Sequence, residues 1–158
     1  MQNVFEFLKR LGISYETHTH PPVLTVEEAA QYRSDIEFGE NKNLFLRNKK
    51  GDKHYLVTIA ASKTLDLRKL GEELGEKLGF ASEDRLSQYL DLSRGAVSPF
   101  GLINDAKKEV VYILDKDLLN NEKLGFHPNI NTKTIIISAK DFEKFLTSTG
   151  NTIVFRKL

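Results

Sequence analysis

The chain has 158 residues, of which 40% are hydrophobic and 28% charged, and its 10 glycines and 4 prolines are too few for a collagen-like or low-complexity protein. Its 23 Lys and Arg oppose 22 Asp and Glu, a balance that excludes a histone-like polycation and an acidic tail protein but leaves room for a local basic patch. The absence of cysteine excludes disulfides, thiolate zinc sites and a cysteine nucleophile, and fits a reducing compartment. Residues 1–7 lack a basic segment followed by an apolar run, and no stretch approaches 18 apolar residues. Neither a signal peptide nor a membrane span is therefore expected, and a cytoplasmic location is.

In chain order, Val4, Phe5, Phe7, Leu8 and Leu11 recur at helical spacing, with Asn3 as N-cap and Gly12 as stop. Residues 13–17 alternate like a short strand. The prolines of His20-Pro21-Pro22 exclude a helix interior, and Thr25 with Glu28 three residues on predicts a capped helix to about Arg33. Residues 43–47 and 54–59 are strand-like and flank the turn composition Asn48-Lys49-Lys50-Gly51-Asp52, which predicts a hairpin. Leu67, Leu70, Leu74 and Leu78 predict an amphipathic helix over 66–78, weakened by Gly71 and Gly75 by about 1 kcal/mol each relative to Ala. Ser82 caps a helix to Leu90, and residues 95–101 form a loop. Residues 110–115 are a buried strand, 117–125 a short helix or loop, and 127–131 a rigid loop. Residues 134–138 are a strand, a last helix runs to Leu146, and 152–155 are a final strand. No strict βαβ alternation and no Gly-rich phosphate loop occur, which disfavours a dinucleotide fold. The expectation is an α+β fold: one domain over 1–158, with a central mixed, mostly antiparallel curved sheet flanked by helices.

Four constellations carry candidate chemistry. His18 and His20, at i and i+2, can ligate a metal from an extended strand, but no third ligand accompanies them at a recognised spacing, so a stiff loop walling a pocket is the better reading. Lys42, at the start of an apolar strand, either aims a compact cation at a phosphate or oxyanion or is a solvated lysine. The loop Gly95-Ala96-Val97-Ser98-Pro99 permits close backbone approach and offers N–H groups to an oxygen, or it is an ordinary connection. His127, between Phe126 and Pro128, is either a positioned acid–base group or an unremarkable histidine. Between residues 42 and 53 stand five basic residues (Lys42, Arg47, Lys49, Lys50 and Lys53) and one acidic residue, Asp52. That run meets a nucleic-acid backbone or merely solubilises a turn. No nucleophile elbow surrounds Ser62 or Ser98.

The segments 20–29, 42–46, 95–105 and His127-Pro128 with Asn131-Thr132, in this order and spacing, resemble the YbaK/ProX-type aminoacyl-tRNA editing domains. These are related to the editing insertion of bacterial prolyl-tRNA synthetase. The resemblance covers residues 3–155 and is nearest the ProX branch, associated with alanine mischarged on proline tRNA. It implies an aminoacyl-tRNA deacylase that uses neither cofactor nor metal. Water attacks the ester, assisted by a hydroxyl of the terminal adenosine and with no covalent intermediate. Carried over residue by residue, it implies that Lys42 engages the terminal nucleotide and Asn43 fixes that nucleotide or the ester. It further implies that Gly95, Ala96, Val97, Ser98 and Pro99 face the carbonyl, His127 holds the aminoacyl group, and Pro22 and Thr25 line a small side-chain pocket. The implied partner is the acceptor end of tRNA(Pro), met by a monomer with no membrane attachment; a transient association with prolyl-tRNA synthetase is compatible with this. Deacylation of Cys-tRNA(Pro) or another small aminoacyl-tRNA, and a non-catalytic tRNA-binding or regulatory module, are the alternatives.

Overall fold

Each α-helix among the described residues starts on a side-chain oxygen that accepts the N–H groups left unpaired in the first turn. Asn3 caps α1 (Val4–Arg10) by accepting from the backbone N–H of Phe5 and Glu6, and Asp66 caps α2 (Leu67–Leu74). Ser82 caps α3 (Glu83–Leu90), and Ser138 caps α4 (Ala139–Thr149). The structure, a computed structural model, describes residues 2–22 and 37–158. Thr25 and the helix expected over 25–33 lie outside them.

The strands are β1 (Glu16–Thr19), β2 (Asn41–Asn48), β3 (His54–Ala60), β4 (Leu78–Phe80), β5 (Val110–Asp115), β6 (Lys123–Phe126), β7 (Lys133–Ser138) and β8 (Ile153–Arg156). They form a five-stranded sheet in the order β4-β2-β3-β5-β8 and a three-stranded sheet in the order β1-β7-β6. The fold is α+β, and its larger sheet is mixed. β2 runs antiparallel to β3 and β4, whereas β3–β5 and β5–β8 are parallel. β3, central and buried along nearly its whole length, reads as a continuous apolar run for that reason.

On one face of the larger sheet, α2 lays Leu67, Leu70 and Leu74 over Leu46, Tyr55, Val57 and Ile113. The other face carries the main core, where Phe45, Leu56, Tyr112 and Leu114 meet α1, α3, α4 and the smaller sheet. Four phenylalanines knit this core. The Phe100 ring meets Phe126 and Phe145 edge-on at 5.9 and 5.0 Å, and Phe126 lies 4.6 Å from Phe142.

The two sheets join along a short seam. Gly39 bridges Leu124 in parallel, and its N–H donates to the Lys123 carbonyl at 2.8 Å. A Cβ on Gly39 would stand 2.7 Å from Leu124 Cδ2, and one on Gly125 would stand 2.8 Å from the Phe38 ring. A side chain at either position would overlap these neighbouring side chains, so glycine leaves room for them at the join. Asn41 completes the join, its Nδ2 donating to the carbonyls of Gly39 and Gly125 at 2.9 and 3.1 Å.

Four expectations are corrected. The first strand is Glu16–Thr19, shifted beyond 13–17 by its pairing with β7. The helix expected over 66–78 stops at Leu74, because Gly75 adopts φ +71° and caps it; Leu78 opens β4, on the same apolar face the helix buries. Residues 117–125 contain a 3-10 turn, Lys116–Asn120, and then β6, a strand too short to announce itself by alternation. The last helix runs to Thr149 rather than Leu146.

Gly71 illustrates packing overriding propensity. A Cβ there would stand well inside contact distance of the Glu76 carbonyl, which belongs to the turn folded back on the helix end. Gly71→Ala should gain about 1 kcal/mol of helix propensity and still lose about 1–3 kcal/mol net by overpacking. Urea unfolding measures the difference.

Candidate functional site

The seam sets the start of β2 beside the end of β6, and His127 follows β6 directly. The smaller sheet adds a third contributor. β7 is its middle strand, so the residue leaving β1, His20, and the residue leaving β6, His127, flank the start of β7 from either side. The two imidazole rings are 5.8 Å apart.

Hydrogen bonds fix what each ring presents. His127 Nδ1 donates to the Lys133 carbonyl at 2.8 Å, which leaves Nε2 as the acceptor of the neutral ring. Burial, with a further contribution from His20, pushes His127 below the ordinary histidine range, although its bond to the Lys133 carbonyl opposes the shift. His20 Nδ1 donates to the Pro21 carbonyl and its Nε2 accepts from Thr134 Oγ1, each at 2.9 Å. His18 instead lies 3.5 Å from Glu16, so the two histidines take separate partners.

A second chain of hydrogen bonds sets the polarity at β2. Tyr112 is fully buried, and burial raises its phenol so far that it stays protonated. Its O–H donates to Thr58 Oγ1 at 2.6 Å, so the Thr58 hydrogen is directed to Asn43 Oδ1, also at 2.6 Å. Asn43 Nδ2 donates to Asn41 Oδ1 at 3.2 Å, and Asn41 Nδ2 spends both hydrogens on the seam. Asn43 is thereby locked with its carbonyl toward the core and, among the described residues, one N–H left to offer.

Lys42 and Asn43 are adjacent in a strand and so point to opposite faces. The Lys42 ammonium donates to the Lys63 carbonyl. Lys63 itself is gripped by the buried Asp115 at 3.0 Å and by Asp117 at 2.7 Å. Asp117 is the larger cause of the raised Lys63 value.

The loop from Gly95 enters with φ +89° and buries Ala96, Ser98 and Pro99, while Val97 is half-buried. Ser98 Oγ accepts from the Phe100 N–H at 3.1 Å and starts the 3-10 turn Pro99–Asn104. The Ala96 N–H is bonded to the Ser93 carbonyl. Among the described residues, the N–H groups of Gly95, Val97 and Ser98 have no partner. Phe100, stacked edge-on to Phe126, couples this loop to the strand that carries His127. Pro22 is exposed, and Thr25 lies outside the described residues.

Sequence reasoning did not assign two residues at this place. His20 was legible only as half of a weak metal pair. Asn129 is 5% exposed with φ +64°, and its amide N and O have no partner among the described residues. Its signal was only its place two residues after His127.

The chain matches the model of the aminoacyl-tRNA editing domain over residues 20–145. It is 45% identical over 154 residues to the prolyl-tRNA editing protein ProX of Acetoanaerobium sticklandii, covering 96% of this chain and 93% of that one. It is 34% identical over 149 residues to the prolyl-tRNA synthetase associated domain-containing protein 1 of Mus musculus, covering 91% and 88%. Its fold superimposes with a TM-score of 0.76 on the crystal structure of a hypothetical protein, at 21% identity and 98% coverage of both chains. With a candidate trans-editing enzyme for prolyl-tRNA synthetase the TM-score is 0.73, at 24% identity and with 96% and 92% covered.

The lowered His127 value has a consequence for stability. The folded chain resists protonation that the unfolded chain accepts, so stability is full above the unfolded value of about 6.5 and falls as pH drops from there toward the folded value. His54, lowered chiefly by burial, acts in the same sense. His127→Asn should flatten part of the decline below pH ~6.5, and chemical denaturation at stepped pH reads it.

Proposed function

The chain belongs to the aminoacyl-tRNA editing domain family, and on that footing we propose that it hydrolyses alanine mischarged on tRNA(Pro). The observation that carries this reading is the fixed polarity at the seam: an acceptor at His127 Nε2 and a donor at Asn43 Nδ2, each held by bonds to the protein interior. An aminoacyl ester needs that pair, because its α-ammonium is a donor and its terminal ribose and ester oxygens are acceptors.

In the proposed reaction a water oxygen attacks the ester carbonyl carbon. The N–H groups of Gly95, Val97 and Ser98, which have no partner among the described residues, suit the oxyanion that forms. The neighbouring ribose hydroxyl orients the water and relays its proton to the departing ribose oxygen. The carbon–oxygen bond then breaks to free alanine and the intact tRNA end. Holding the ester, the water and the ribose together supplies much of the rate without a protein nucleophile. Lys42 exchanges its bond to the Lys63 carbonyl for a phosphate of the terminal nucleotide.

Selection is steric in this proposal. Neighbouring aliphatic groups differ by only ~1–3 kcal/mol in a hydrophobic pocket, so a second sieve that admits a methyl group and rejects the proline ring protects correctly charged tRNA. Incubation with alanyl-, cysteinyl- and prolyl-tRNA(Pro) tests it. Alanine should be released fastest and proline spared. Preference for cysteine would reassign the substrate, and tight binding without turnover would make the chain a binding module. Lys42→Ala should lower kcat/KM by about 100-fold, the scale of losing one positioned charge.

A further inference from the structure

We propose that Arg47 and Arg85 together form a binding site for one backbone phosphate of RNA, at the end of β2 remote from Lys42. The proposal rests on the reading that the substrate is a tRNA, and it assigns a second point of contact outside the reacting end.

Arg47 is near the end of β2, and Arg85 lies in the first turn of α3. The fold brings their guanidiniums onto the same turn. The point where a Cβ on Gly51 would stand is 3.0 Å from one terminal nitrogen of Arg85 and 3.4 Å from one of Arg47. Gly51 adopts φ +80° there, so the turn needs glycine both for its conformation and for the space. Arg85 Nη1 is aimed by two acceptors at 3.0 Å, the Gly51 carbonyl and His54 Nε2. His54 accepts only while neutral. It is buried and held face to face with Tyr89 at 3.9 Å.

Two like charges are thus close together, that of Arg85 held by its two acceptors, and neither has a carboxylate within 4.0 Å among the described residues. Of the nearby acids, Asp52 is held by Asn48 at 2.6 Å and Lys50 at 3.7 Å and Glu76 by Lys53 at 3.0 Å, while Glu83 and Asp84, beside Arg85 in the first turn of α3, form no ion pair with either guanidinium. A pair of guanidiniums without a paired carboxylate among the described residues matches the doubly accepting edge of a phosphate. There is also room for one. Across from Arg47 on the edge strand β4 stands Gly79, where an added Cβ would meet nothing within 4 Å. Exposed Lys49 adds to the local field.

Arg47 is five residues along the strand from Lys42, about 17 Å at strand rise. A phosphate held there belongs to the acceptor arm, several nucleotides before the reacting end. The ligand is therefore a phosphodiester of the RNA backbone rather than the terminal nucleotide.

The test compares wild type and Arg47→Gln on two substrates: uncharged tRNA(Pro) for binding, and alanyl-adenosine, which ends short of the site, for hydrolysis. Binding is followed by fluorescence anisotropy from about 50 to 200 mM salt. Arg47→Gln should weaken RNA binding roughly five- to tenfold and reduce the slope of log K against log salt by about one. Turnover of alanyl-adenosine should be unchanged. An unchanged slope, an equal loss on both substrates, or the same competition by inorganic phosphate in both proteins would overturn the proposal. Should Arg47→Gln fail to fold, Gly79→Asp replaces it, since it sets a carboxylate opposite Arg47 in open space; it too must weaken RNA binding. An Arg47-dependent salt slope in a protein that releases no alanine would support this site while sinking the deacylase reading.

Discussion

The contact on which the site depends is the close approach of two backbones at Gly39 and Gly125. A side chain at either position would overlap the Leu124 or Phe38 side chain, and the approach lets Asn41 bond across to β6. Without it, the two sheets would be separate platforms, with Asn43 on one and His127 on the other. The seam is short, so the large apolar core behind it carries the free energy while the glycines set the geometry. Phe100 and Phe126 extend the same logic to the Gly95–Pro99 loop, since their edge-on contact ties the loop to the strand that ends at His127.

The polar groups at the seam are oriented from the interior outward. A phenol that cannot ionise, a threonine with one way to point its hydrogen and two asparagines with complementary demands leave no freedom in the chain from Tyr112 to Gly125. His127 is treated likewise by the Lys133 carbonyl. Lys42 is held differently, through a carbonyl whose own residue is clamped by Asp115 and Asp117. In the proposed reaction such preorganisation limits the reorganisation left to the moment of bond breaking.

Much of the fold was legible because its signals are local. Asn3 and Ser82 announced helix starts through their side chains, and the 48–52 turn announced the hairpin. The misreadings have physical causes. Leu78 continued the leucine spacing of α2 because strand and helix bury the same face, while Gly75 had already ended the helix. β6, four residues with a glycine inside, was too short to show a period. At the site, Lys42 and His127 stood out from local residue chemistry, each with a bland alternative, and the motif resemblance supplied their roles and added Asn43. That Lys42 and Asn43 face opposite ways follows from strand geometry alone. The partnership of His127 with His20, and of Arg47 with Arg85, joins residues far apart in sequence and leaves no local trace.

The seam also sets an order of assembly. It pairs residues 39–41 with 123–125, more than eighty positions apart, and β6 is completed only by pairing with β7. Contacts of such sequence separation close late, because the loop entropy must be met before they return any stabilisation. A chain emerging from the ribosome thus has the β2–β3 hairpin and α3 complete in sequence well before residues 123–125, and with them the seam between the two sheets, can close.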